Sequence, residues 1–307
     1  MNERTLERGA WTVGVIACLA TALAALRAPR ELAGAWLAAA TCFLGWPLGS
    51  LALVHIHALT GGSWGHALRP QLTAGIRTMP LTLPVLIPVV LASRSLYPWL
   101  DPAVAAELPN RFYLNAPFGV LRIVVYLIVW LGLAQLTLRG LAAGSATRLE
   151  RLAPAALILL AFTVTFAAID STLSLEPRFK SSIFGLLSCT EAVLFALSLA
   201  VGGAALGTAL PDRAARQVLG RLLLALVVLW AYLDFMQLLI VWNSNLPDEA
   251  GWYVSRLNGS WRAVALLVAG LHFLLPFALL LRPALQRSRR ALGAVALLLV
   301  LTAVARA

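Results

Sequence analysis

The feature that most constrains this chain is a succession of apolar runs, most of them about as long as a bilayer is thick, separated by short connections. A helix needs about 20 apolar residues to cross the hydrocarbon core. Inside that core each segment must satisfy its own backbone hydrogen bonds. The runs fall at about 11–26, 34–60, 72–92, 118–138, 152–170, 181–207, 219–242, 260–281 and 291–305. They predict an all-α polytopic membrane protein with about nine transmembrane helices. No soluble stretch is long enough for a second domain, so residues 1–307 read as one helical-bundle domain. The last run is short for a full crossing.

Composition agrees. Hydrophobic residues make up 61% of the chain and charged residues 12%, roughly half the charged share of a soluble domain. A net charge of +11 would suggest nucleic acid for a soluble protein. Here the arginines cluster in short loops, so the charge reads as topology and excludes nucleic acid as a partner. The loops on the N-terminal side carry the larger share of Lys and Arg. That predicts a cytoplasmic N-terminus, with the 243–259 loop facing the periplasm or exterior. The opening residues, MNERTLERGAW, are charged, but no small-residue cleavage signal follows. The first run is therefore expected to be a span rather than a removed signal.

Local signals shape individual spans. Gly61-Gly62 should end the second one. Pro80, Pro84 and Pro88 lie on one face of the third and remove backbone donors in succession, which predicts a bent helix packed against neighbours. The 93–117 loop, with Tyr97, Trp99, Asp101 and Tyr113, should lie at the interface. Cys18, Cys42 and Cys189 sit in apolar runs without a CxxC or CxxCH spacing. They read as core residues, and the chain has no iron–sulfur or c-type haem motif of its own.

Charge inside the membrane is where function should be sought, because it is costly to keep there. Residues 230–253, WAYLDFMQLLIVWNSNLPDEAGWY, carry Asp234 within a span that ends in an aromatic belt. Asp234 shares a face with Trp230, Gln237 and Val241, which should point into the bundle. Asp170 ends the fifth run, and Glu191 lies within the sixth. Counted from the outer side, Glu191 is about 15 Å deep and Asp234 about 12 Å. Three acids at staggered depth on consecutive spans suit a proton path or a quinol site. They equally suit inert, paired helix contacts.

His55 and His57 lie near the inner end of the second run and His272 within the eighth. Residues two apart on a helix point to nearly opposite sides, and His272 is out of register with both by about 6 Å or more. That disfavours a bis-histidine haem and leaves the three as candidates for an inner proton path or as hydrogen-bonded structural residues. Tyr126, Gln135, Thr163 and Thr165 add polar points. Arg122 is placed to snorkel to the interface. No metal ligand set, nucleophile arrangement, P-loop or nucleotide motif is present.

The order of several segments resembles a known family. Residues 53–65 (LVHIHALTGGSWG), 96–100 (LYPWL), 111–117 (RFYLNAP), 165–185 (TFAAIDSTLSLEPRFKSSIFG) and 230–253 are similar in sequence and order to the ActF-type membrane subunit of alternative complex III, in the NrfD/PsrC-like family. The resemblance implies two four-helix bundles, formed by the second to fifth and sixth to ninth spans, with the first span peripheral. It implies a membrane subunit of a quinol:cytochrome c (electron acceptor) oxidoreductase. This chain would bind no metal itself. Quinone or menaquinone would be the ligand, with haem c and iron–sulfur clusters on partner subunits. The partners would be a second NrfD-like subunit, an iron–sulfur subunit and c-type cytochromes, besides quinol and the lipid bilayer. By position, Asp170 matches the family aspartate, and His55 or His57 its histidines. The expected quinone-site residues are Asp170 and Tyr126. The expected proton path is Asp170, Glu191, Asp234, His55, His57 and His272. The chain departs from the family pattern at Ser171, Arg178, Phe179 and Asp234, and lacks a tenth helix. A structural anchor subunit and a secondary transporter are the competing readings.

Overall fold

A computed structural model of the chain describes residues 27–207, 212–244, 250–254, 258–259 and 261–306, with Thr12, Ala17, Thr21 and Leu23. The first expected span, and Cys18 within it, lie outside the described residues apart from these four positions. The long helices are α1 (Pro29–Thr60), α2 (Ser63–Arg77), α3 (Thr82–Leu91), α4 (Ala116–Ala142), α5 (Ala146–Ser171), α6 (Phe184–Leu206), α7 (Arg213–Ser244), α8 (Trp261–Leu280) and α9 (Arg289–Arg306). No strand occurs among the described residues. Seven segments are long and apolar enough to cross a membrane: α1, α2–α3 together, α4, α5 with its following turn, α6, α7 and α8. This is a multi-pass helical membrane protein. Helix α9 matches the expected ninth run, but Arg289, Arg290 and Arg306 at its ends put too much charge in 18 residues for it to count among those seven.

The third span begins earlier than its hydropathy suggests. Helix resumes at Ser63, directly after Gly61 and Gly62, whose positive φ values of 69° and 97° make the reversal. Residues 63–71 look like loop because His66, Arg69 and Pro70 break the apolar run. They form an amphipathic turn that buries Trp64 and Leu68. Pro80 then sits in a 3₁₀ turn, Met79–Leu81, that separates α2 from α3. The 93–115 segment folds into short helical turns closed by the buried Tyr97, Trp99 and Leu114. The Asp101 side chain caps one of them by accepting from the Ala103 N–H at 2.9 Å.

Two helices are central. Half or more of the apolar stretch of α1 and α6 is buried, against 28% or less in the other five spans. They meet through small residues: a Cβ on Gly49 would lie 2.0 Å from the Ala192 carbonyl oxygen and 2.7 Å from the Ala196 methyl. Lipid offers no hydrophobic drive for helix association, so such close backbone approach supplies the packing energy. Helix α9 runs antiparallel along another side of α6, with Gly293 against Ala205 and Gly202 facing Ala296. Around this pair, α2, α5 and α9 pack on α1 or α6, α7 packs on α6, and α4 packs on α5. A single buried apolar cluster draws on every long helix except α3.

Gly49→Ala should therefore lose about 1–3 kcal/mol or more through overpacking, read as a lower Tm in detergent. Gly34→Ala, on the same helix but with nothing within 4 Å, should be neutral or slightly stabilising.

Candidate functional site

Charged side chains within the helical region form two separate clusters, one buried and one part-exposed, both toward the membrane face at which α4 begins and α5 ends, here the Asp170 face. The first joins α4 and α5. The Asn115 side chain caps α4 by accepting from the Phe118 N–H at 2.9 Å, which places Arg122 in its second turn. Arg122 Nε donates to Asp170 Oδ2 at 2.7 Å, and the two side chains keep 9% and 13% of their surface. Tyr126 Oη donates to the same carboxylate oxygen at 2.8 Å. Arg122 Nη1 donates to the Tyr113 carbonyl at 2.7 Å, and its guanidinium lies 3.9 Å from the Tyr113 ring centroid. The charge pair is thus compensated on nearly every side, as burial requires.

Two polar atoms of this cluster are poorly satisfied. Asp170 Oδ1 and the Tyr113 hydroxyl are both buried without a hydrogen bond of good geometry, although the hydroxyl lies close enough to the Asp170 carboxylate and to Tyr126 for both to act on its phenol. An unmet polar atom costs about 1–3 kcal/mol. Tyr113 precedes α4, and burial, then the Asp170 charge, pushes its phenol up to about 12. The Tyr97 phenol is raised by the same two causes; its hydroxyl donates to the Ser171 carbonyl at 3.2 Å. Deeper in, Tyr126 stacks on Trp130 at 5.9 Å, and Trp130 Nε1 donates to Thr163 at 2.9 Å.

The second cluster joins α6, α7 and α9. Arg306 Nη1 holds Glu191 Oε1 in a hydrogen-bonded ion pair, and Nη2 holds Asp234 Oδ1 at 3.2 Å. Trp230 Nε1 donates to Glu191 at 3.3 Å while its ring lies 4.9 Å below the guanidinium. His272 packs on Trp230 at 4.5 Å and bonds through Nδ1 to Thr302 at 2.6 Å. His272 belongs to a π-helical stretch, Ala269–Leu274. Pro276 has no N–H for the His272 carbonyl, so the ladder is broken there, and the wider turn accommodates the break.

The candidate residues therefore separate. Asp170 and Tyr126 come together, and so do Glu191, Asp234 and His272. Among the described residues no hydrogen bond or ion pair links Asp170 to the other two acids. His55 stands alone between α1 and α4, bonded to Thr137 at 3.0 Å. His57 points elsewhere, to the Gly62 carbonyl at 2.8 Å, with the rings of Trp64 and His66 against it. Gln135 is exposed. Arg122 does not snorkel; it turns inward to Asp170. Sequence reasoning missed Arg306, which reads as a polar tail. The available signal was a lone cation one residue beyond an apolar run. Cys42 and Cys189 are unpaired, and no group of three potential metal ligands occurs among the described residues.

This fold and these clusters define a polytopic helical membrane protein with one buried and one part-exposed arginine–carboxylate centre. No protein-family model matches the chain, and no curated protein matches it.

Arg122→Gln should cost on the order of 3–5 kcal/mol by leaving Asp170 uncompensated, and adding Asp170→Asn should recover much of it in detergent unfolding. The Tyr113 shift has a pH consequence. Between 10 and about 12 the folded phenol keeps a proton that the unfolded one loses, so stability is constant below 10 and falls through that window. Tyr113→Phe should remove that alkaline loss and one ultraviolet titration step near its upper end.

Proposed function

We propose that the protein is an integral membrane subunit of a quinol-oxidising respiratory complex, of the ActF-type, NrfD-like kind, in a bacterial plasma membrane with its N-terminus in the cytoplasm. The observation that carries this reading is the Asp170 cluster. A buried carboxylate held by Arg122 and Tyr126, with the Tyr113 hydroxyl beside it, offers an acceptor and a donor at membrane depth. A quinol presents the matching hydroxyls and an apolar ring. Asp170 would take the quinol proton, Tyr126 and Arg122 would hold the carboxylate in place, and Tyr113 would complete the contact. The chemistry of quinol oxidation delivers two protons and two electrons. The chain's own residues can accept protons but not electrons, so the electrons pass to iron–sulfur and c-type haem partners.

The remaining candidates extend the proton role. Glu191, Asp234 and His272 form one linked group, and His55 and His57 lie toward the opposite face. The two-bundle arrangement is supported by the central contact of α1 with α6, the first helix of each half. A structural anchor without proton transfer is favoured by one specific feature: all three acids are already paired with arginine.

Purification in mild detergent, with visible spectra of what accompanies the protein, tests the assembly. Co-purified c-type haem and iron–sulfur subunits are expected; a colourless, solitary protein would overturn the respiratory reading. Within such a complex, Asp170→Asn should lower quinol turnover by on the order of tenfold to a thousandfold while assembly persists, as loss of a positioned proton acceptor does. Unchanged turnover would leave the anchor reading.

A further inference from the structure

The membrane face opposite Asp170 carries an arginine surplus that neither charged cluster uses. Residues 213–221 (RAARQVLGR) open α7 with three arginines. Residues 281–290 (LRPALQRSRR), which link α8 to α9 and begin α9, hold four and no acid. The acid that precedes α7, Asp212, is engaged in capping it, accepting from the Ala215 N–H at 2.9 Å. Packing brings the two stretches together. A Cβ on Gly220 would lie 2.8 Å from the Gln286 side chain, so the helical turn Pro283–Arg287 sits directly on α7. Arg216 Nε donates to the Arg287 carbonyl at 2.7 Å. Arg287 Nε in turn donates to Gln217 Oε1 at 2.9 Å. These acceptors are neutral, and among the described residues neither Arg221 nor Arg287 has an ion pair.

Arg213, Gln217 and Arg221 lie four apart on one face of α7. The Arg287 guanidinium, held on Gln217, is therefore within about one turn of Arg221, roughly 6 Å along the axis. The same side of α7 continues through Leu224, Ala225, Val228, Leu229 and Tyr232, which with Arg221 line an open groove of about 530 Å³. Val228, Leu229 and Tyr232 are exposed. Ala225, the smallest of the set, leaves the space that its larger neighbours border. From Arg221 to Tyr232 the groove covers about 16 Å along the helix, close to one leaflet's half of the roughly 30 Å hydrocarbon core. It is cationic at its mouth and apolar along its length. Keeping arginines in loops for topology requires no such alignment.

We propose that this groove seats an anionic phospholipid, with its phosphate between Arg221 and Arg287 and one acyl chain along α7 as far as Tyr232. Guanidinium groups match phosphate in charge and in hydrogen-bond geometry, and basic pockets between helices at a membrane surface bind anionic headgroups. A free phosphate would use the mouth and leave the apolar groove empty. A phosphate shared by Arg221 and Arg287 fastens α7 to the connection between α8 and α9. The inference is independent of the respiratory reading, and its test needs neither quinol nor partner subunits.

The test is native mass spectrometry of the delipidated full-length protein, titrated with phosphatidylglycerol or with phosphatidylcholine of the same chains. One phosphatidylglycerol should bind at concentrations at least tenfold below those that phosphatidylcholine needs. Arg221→Gln and Arg287→Gln should each weaken that binding about fivefold, as loss of one cation near an anionic headgroup does. Ala225→Trp, which fills the groove, should weaken it with both arginines intact. Arg148→Gln, at the start of α5 on the same membrane face, should leave it unchanged. Equal affinity for the two lipids, or inorganic phosphate bound as tightly as phosphatidylglycerol, would overturn the anionic lipid as occupant. No weakening from either mouth variant, or equal weakening by Arg148→Gln, would overturn the mouth. Unchanged binding in Ala225→Trp would overturn the groove, as would a polypeptide that cross-links to a probe at Ala225 in place of lipid.

Discussion

The close contact of α1 with α6 sets the geometry on which the rest depends. Gly49 admits the backbone of Ala192 with no side chain between them. Successive residues on a helix are about 100° apart. Fixing Ala192 against α1 therefore turns Glu191 away from that seam, toward α7 and α9. A bulkier residue at Gly49 would not simply loosen the pair. It would also rotate or displace the helix that carries one half of the second charged cluster. In a membrane, where water-driven burial contributes nothing between helices, this seam is also where packing energy concentrates.

Each cluster solves the same electrostatic problem in a different way. At Asp170 one arginine meets one carboxylate, and both are nearly enclosed. Around Arg306 one arginine meets two carboxylates, and all three side chains stay part-exposed. The two centres share no residues and no hydrogen bond among the described parts of the chain.

Much of the helical layout was legible in sequence because hydropathy reports directly on lipid exposure. The central parts of seven expected runs coincide with seven apolar helices. Boundaries were less legible wherever a helix continues through polar residues. The turn at Ser63–Gln71 is amphipathic, and the start of α7 carries Arg213 and Arg216 before its apolar stretch. The acids were legible as anomalies in apolar runs, and Asp234 with Gln237 could be placed on one face by spacing alone. Their partners were not. Arg122 read as an interfacial residue and Arg306 as a tail, because hydropathy cannot tell a cation directed at lipid headgroups from one directed at a carboxylate.

What the sequence by itself determined is the solvent. Long apolar runs must become helices that satisfy their own hydrogen bonds in lipid, and a carboxylate among them must find a partner. Which partner was decided by tertiary structure. Arg306 and Glu191 are 115 residues apart, and Arg122 and Asp170 are 48 apart. Each pair meets only because packed helices bring their ends to the same depth. The separation of Asp170 from Glu191 and Asp234 has the same origin. Depth along a helix can be counted in sequence, but rotation about its axis is set by its neighbours, and rotation decides which charges share a site.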